Sequence, residues 1–313
     1  MNGRITATTN GANGTEATKK DLLESLNRYG FVHIPSLLTP EQIQTLRTAT
    51  TEVINLARAG KWPHVRTLPK QFPPWPIEPG ANPAANGIWG VQFLMHPSMP
   101  HAQTFIKNYF SNEIVEVVKE LLQCSDDELV LELFNMLVRP DEDFELIWHR
   151  DDIPWKATKE EEEERLGVGK DRERAWHAQW NLALYDDASL IVIPGSHARA
   201  RTERERNAGP HETGLPGEIT VLQKAGDILF YDNNILHRGK YDKGKERATL
   251  HGTMGRAGGS RDRARNVLQH GIGEWVAEID LSALEGREKE RAEGMRERLL
   301  AMGTHSGEYS LEG

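Results

Sequence analysis

The stretch WHRDD (148–152) sets a histidine and a carboxylate two residues apart, at His149 and Asp151. On a strand, residues i and i+2 project from one face. An imidazole nitrogen and a carboxylate oxygen meeting at one point are two of the three donors of the 2-His-1-carboxylate set that holds non-haem iron. Alone, His-x-Asp is a weak signal, since an ion pair or a packed histidine explains it equally well. The third donor is expected at His237, in NNILHRG, and Arg247 follows in ERATLHGTM. Arg247, Thr249 and His251 share a face by period two. A buried arginine is costly unless an anion meets it, and its planar fork matches a carboxylate. The plainer alternative is a surface arginine paired with Glu246 or Asp242. Taken together, His-x-Asp, a long strand-rich gap, a histidine and then an arginine point to a metal centre that also receives a carboxylate.

These side chains need strands to hold them. From about residue 130 the segments VLELFNMLVRP, FELIWHRDD, AWHAQWNLALY, SLIVIPGSH, EITVLQKAGDILFYDNNILHRG and RATLHGTMG alternate or run apolar between turn residues. The Arg247 strand is expected to pair near the His237 strand across the KYDKGK turn. Helices are expected at 19–30, at 39–60 with Thr39 and Gln42 as a capping box and Pro40 at the first position, and at 111–123. Strands following a helical N-terminal part predict a mainly β chain, a double-sheet core with flanking helices. The domain reading is a disordered tail over 1–17, one domain over 18–280, and a charged, solvated helix and tail over 281–313 that leaves room for a homodimer contact.

Composition removes other classes. The chain has 313 residues, a net charge of −9 and one cysteine, Cys124. An acidic chain is a poor nucleic-acid binder, which needs clustered cations. A single cysteine excludes internal disulfides and thiolate clusters. No stretch reads as a signal peptide or a membrane span, so a soluble, cytoplasmic protein is the expectation. The stretch 61–86, rich in Pro and Trp, reads as an ordered loop roofing the site with Trp62, Pro63, Phe72, Pro73, Pro74, Trp75 and Pro76. With Trp89, Trp155 and Trp176 it suggests an aromatic-lined pocket for a small apolar molecule.

At these residues the chain resembles the phytanoyl-CoA dioxygenase family. GFVHIPSLLTPEQIQTLR is similar to the family's N-terminal opening, WHRDD to its iron motif, LIVIPGSH to its strand ending in Pro-Gly-Ser-His, and LHRG with ERATL to its distal histidine and arginine. The resemblance implies a double-stranded β-helix, a cupin-like jelly-roll. It implies Fe(II) on His149, Asp151 and His237, with 2-oxoglutarate and O2 as co-substrates and Arg247 on the far carboxylate. It implies succinate and CO2 as co-products of oxidising a substrate C–H bond, and the aromatic-lined pocket suits a lipid-like molecule or secondary metabolite as that substrate. It also places Trp180 and Met136 against the co-substrate, where core packing is the alternative. Asp151 differs from the small residue of the related halogenases, which argues against halogenation. There are departures. The segment after Asp151 is long and contains EEEEER, either a lid or a surface helix. Gly239 stands where some members carry a serine, and YDDASL replaces the usual Asn-Gly. His197 reads as structural, and His177 and His251 as packed or flanking the site. A cupin-like metalloenzyme without 2-oxoglutarate and a non-catalytic binding module are the competing readings.

Overall fold

The computed structural model describes residues 19–71, 80–169, 175–258, 267–268 and 271–303. The expected tail at 1–17, the roof residues Phe72, Pro73, Pro74, Trp75 and Pro76, and the chain end after 303 lie outside the described residues.

Helices lead. α1 (Lys19–Tyr29) runs into β1 (Phe31–Ile34), and α2 (Pro40–Arg58) starts on the Thr39–Gln42 capping box. Short strands β2 (Val65–Thr67) and β3 (Ile88–Val91) follow, β2 inside the stretch expected to be loop. α3 (Ala102–Tyr109) and α4 (Asn112–Leu122) precede the strand-rich half. That half contains β4 (Leu129–Val138), β5 (Phe144–Glu145), α5 (Lys159–Leu166), β6 (His177–Ala183) and β7 (Leu190–Val192). It continues through α6 (Glu203–Arg206), β8 (Ile219–Thr220), β9 (Ile228–Tyr231), β10 (His237–Tyr241) and β11 (Ala248–Arg256) to α7 (Gly286–Gly303).

The strands form two antiparallel sheets, a seven-stranded one ordered β1-β9-β6-β11-β4-β3-β2 and a four-stranded one ordered β5-β10-β7-β8. β10 and β11 therefore do not pair. The KYDKGK turn carries the chain from one sheet to the other, which corrects the expected neighbour relation of His237 and Arg247. The mainly β, jelly-roll expectation holds.

Strand parity sorts the side chains into layers. One face of the large sheet, with Phe134, Met136, Trp180, Phe230 and Leu250, joins the main apolar core with the helices. The other face meets the small sheet through two clusters. Trp89 and Leu137 pack with Phe144 and Tyr241 in one, and Leu229 and Tyr231 with Leu190 and Val192 in the other. Between those clusters lies a polar strip.

α7 departs from its expected solvated state. Ala292, Met295 and Leu299 are fully buried, a stripe at helical spacing that surrounding charges hide in a composition average. Arg291 is buried with them and donates to the Phe110 carbonyl at 2.7 Å. Among the described residues no helix is long and apolar enough to cross a membrane.

Candidate metal centre

The WHRDD stretch is less regular than expected. Its backbone meets β10 through an isolated bridge between His149 and His237, closed by paired bonds of 3.0 and 3.1 Å. Asp151 N–H donates to the Asn233 carbonyl at 2.9 Å. These bonds bring residues distant in sequence to one point. One ligand atom from each of His149, Asp151 and His237 lies within 4.8 Å of the others. Asp151 Oδ1 is 3.6 Å from His149 Nε2 and 3.7 Å from His237 Nε2.

Both histidines are held in the tautomer a metal requires. His149 Nδ1 bonds the Ile147 carbonyl at 2.7 Å and His237 Nδ1 the Ile235 carbonyl at 2.8 Å. A carbonyl only accepts, so Nδ1 carries the proton and the Nε2 lone pair faces the common point. Burial, then the neighbouring His237, push His149 down to about 4 against the pull of Asp151, so its ring is neutral near neutral pH. Burial would raise the Asp151 carboxyl, but His237, His149 and a bond from Gln179 outweigh it and hold it below the usual range. Two imidazole Nε2 atoms and one carboxylate oxygen converging on a common point fit a divalent cation.

Arg247 is buried, and the surface alternative fails. The guanidinium's carboxylate partner is neither Glu246 nor Asp242 but Asp187, whose Oδ2 accepts from Arg247 Nε at 3.0 Å and from the Thr249 hydroxyl at 2.9 Å. The guanidinium lies over the Tyr241 ring, 4.4 Å from its centroid, with the hydroxyl in hydrogen-bond contact. Arg247 Nη1 is buried with no partner among the described residues. Asp187 thus secures the Nε edge and leaves the outer edge for a further anion. Gly239 makes the arrangement possible, because a Cβ there would lie 2.2 Å from the Tyr241 hydroxyl oxygen.

Trp180 and Met136 are not brought to this site. Gln179 reaches Asp151 at 2.9 Å and Asn181 reaches His251 at 2.9 Å, so the residue between them points the other way. The Trp180 ring packs on Tyr109 and Phe230, over a glycine at 252 where any Cβ would come within 2.2 Å of the indole. Met136 opposes Leu250 and shares that helix-facing core. The aromatic residues do not line one pocket either. Trp89 stacks in the interior, Trp62 packs on His64 and His96, and Trp155 and Trp176 lie under Arg201 and Arg256.

The geometry adds residues the sequence reading passed over: Gln179, Tyr231, Asp187, Tyr241 and Arg66. Arg66 enters from β2 with its guanidinium 5.1 Å from the Trp89 ring centroid, and its Nε is buried with no partner among the described residues. Its charge is felt at His251, which burial and then Arg66 push down to about 3. His197 is structural, bonding the Asn27 carbonyl at 3.2 Å, and Ser196 Oγ accepts from Leu236 N–H just before β10. The EEEEER segment is α5. Its Glu162 is buried and pairs with Arg201 and Arg206, so the segment is clamped to α6 and the residues just before it.

The profile of the family described as Phytanoyl-CoA dioxygenase (PhyH) matches residues 26–247. No curated protein sequence matches the chain. Among solved structures, EctD from S. alaskensis with bound Fe is similar at a TM-score of 0.53 and 16% identity, over 82% of each chain. HygX from Streptomyces hygroscopicus, with nickel and 2-oxoglutarate bound, is similar at 0.51 and 17%, over 76% of this chain and 87% of that one. AviO1 from Streptomyces viridochromogenes Tue57 is similar at 0.52 and 17%, over 76% and 95%. At these identities the likeness is one of fold.

Proposed function

The chain belongs to the phytanoyl-CoA dioxygenase family, and so to the non-haem iron and 2-oxoglutarate-dependent dioxygenases, and we propose that it hydroxylates an unactivated C–H bond of a small, uncharged, apolar molecule. We assign iron to His149 Nε2, Asp151 Oδ1 and His237 Nε2, and the far carboxylate of 2-oxoglutarate to the outer edge of Arg247. The observation that carries the reading is the convergence of two Nε2 lone pairs and one carboxylate oxygen, with both Nδ1 protons committed to backbone carbonyls. EctD with Fe and HygX with 2-oxoglutarate supply the precedent for such loading on this fold.

When bound, iron and 2-oxoglutarate together supply O2 activation, with succinate and CO2 as co-products. The protein's part is binding, orientation and exclusion of water. The Asp187–Arg247 pair offers a fixed fork at a distance from the triad, which sets one orientation for a dicarboxylate. Around the triad, Asp151 and Asp187 are balanced by Arg66 and Arg247. A divalent cation and a dicarboxylate also cancel, so the loaded interior carries no surplus charge with which to hold a charged substrate. The interior clusters around Trp89 and Leu229 supply apolar walls. A lipid-like compound or secondary metabolite fits that environment.

The test is anaerobic addition of Fe(II) and 2-oxoglutarate to the purified protein. The expected result is a weak visible charge-transfer band that is absent in His237→Ala. Absence of the band in folded, iron-loaded wild-type protein would remove 2-oxoglutarate and leave a cupin-like metalloenzyme.

A further inference from the structure

A carboxylate ligand has two equivalent oxygens, and rotation can present either or both to a metal. In this site the two oxygens of Asp151 are made different. Oδ1 faces the two imidazoles at 3.6 and 3.7 Å. Oδ2 is turned away and accepts from Gln179 Nε2 at 2.9 Å. Gln179 is buried on β6, and its cross-strand partner on β9 is Tyr231. The Tyr231 ring meets the His237 imidazole edge-on at 5.6 Å, and its hydroxyl is in hydrogen-bond contact with the Gln179 amide. A carboxylate can only accept, so the amide must direct its NH2 group at Asp151.

We infer that Gln179 is a positioning residue that keeps Asp151 a one-oxygen ligand, and that Tyr231 holds Gln179 in place while bracing His237. The inference rests on the metal assignment above and gives it a consequence. Three single-atom ligands on one face leave the opposite face open. A 2-oxoglutarate chelate and O2 together need all of it. An Asp151 free to turn its second oxygen inward would compete for that space, so losing the Gln179 bond should harm co-substrate binding beyond its effect on metal binding. Residues that orient metal ligands in this way commonly change metal affinity by about 10- to 100-fold when replaced.

The experiment titrates Co(II), whose visible bands report ligand number, into wild type, Gln179→Ala, Gln179→Glu and Tyr231→Phe, and then 2-oxoglutarate into each Co(II)-loaded protein. Glutamate has the size of glutamine but places an oxygen where the donor stood, so it separates hydrogen bonding from packing. The expected result is a Co(II) affinity about 10- to 100-fold weaker in both Gln179 variants, altered Co(II) band intensities, and a further loss of 2-oxoglutarate affinity. Thermal midpoints should stay near that of wild type. Tyr231→Phe should move the same readouts in the same direction by less, and it keeps the test alive should a Gln179 variant fold poorly. Gln179→Glu with wild-type affinity and spectrum would overturn the inference while leaving the metal site standing. Wild type that binds no Co(II) would instead overturn the metal assignment itself.

Discussion

Asp187 is the residue on which the buried Arg247 depends, and Asp187→Asn isolates that dependence. Burial alone would raise its carboxyl. The Arg247 guanidinium and the Ser189 hydroxyl and N–H more than offset this and bring it down to about 2 from an ordinary 3.8. The Asp187 carboxylate accepts from Arg247 Nε at 3.0 Å, the Thr249 hydroxyl at 2.9 Å and Ser189 N–H at 2.8 Å. A depression of that size is worth about 2 kcal/mol to the fold. The side chain is only 9% exposed, so solvent screening removes little of it.

The sign follows from the direction of the shift. A carboxyl whose folded pKa is depressed stabilises the fold above its unfolded pKa and loses that contribution as pH falls through its folded pKa. For Asp187 the window runs from 3.8 down to about 2, and about half the contribution should be gone near pH 3. Asparagine keeps the size and one acceptor but abolishes the charge. Urea denaturation at pH 7 should show Asp187→Asn less stable by about 2 kcal/mol, and the gap from wild type should narrow on approaching pH 3. A variant as stable as wild type at pH 7 would refute the reasoning. So would a gap that stays constant with pH, since it would come from packing rather than charge.

Arg247→Lys should raise the 2-oxoglutarate dissociation constant by about ten- to a hundredfold, because one ammonium cannot satisfy Asp187 and also present a two-pronged edge. Anaerobic titration of the charge-transfer band measures it, and an unchanged constant would move the carboxylate elsewhere, Arg66 being the first place to look. Gly239→Ala should cost about 1–3 kcal/mol in urea denaturation, since the added methyl has to displace the Tyr241 ring; a neutral result would mean that ring moves freely. Glu162→Ala should cost about 3–5 kcal/mol by leaving Arg201 and Arg206 without their carboxylate, whereas Glu163→Ala, next to it in the same acidic run, should change stability by no more than about 0.5 kcal/mol. Equal effects from the two would show that Glu162 is not the buried anchor.

The convergence of His149, Asp151 and His237 was legible because its signal is local. His149 and Asp151 sit two apart, and His237 ends an apolar run. Arg247 was legible as a residue, but its partner was not. Asp187 lies 60 positions away from it, and only the antiparallel meeting of β6 and β11 brings the two together. The double-sheet β core was readable from strand lengths and turn residues, and its jelly-roll form came from the family resemblance. The sheet change between β10 and β11 was not, because a short turn between two strands reads as a hairpin whether or not they pair. The charged exterior of α7 masked a stripe of three apolar residues. Every one of these gaps concerns a contact distant in sequence.

Trp180 and Met136 were misplaced for a different reason, and the remedy was present in the sequence. AQWNLAL alternates amide and apolar residues. A tryptophan between a glutamine and an asparagine lies opposite both on a strand. The strand is buried on both faces, so hydrophobicity does not say which face meets the His149, Asp151 and His237 cluster. Hydrogen-bonding capacity does: buried amides need partners, and in this fold the partners are Asp151 and His251 in the interior, while the helix-facing layer is apolar. Gln179 and Asn181 must therefore turn inward, and Trp180 is driven outward. The same parity on β4 puts Asn135 inward, where it accepts from Phe93 N–H, and turns Met136 out. In a sheet covered on both sides, the polar residues of a strand locate the active face, and the large aromatic beside them marks its back.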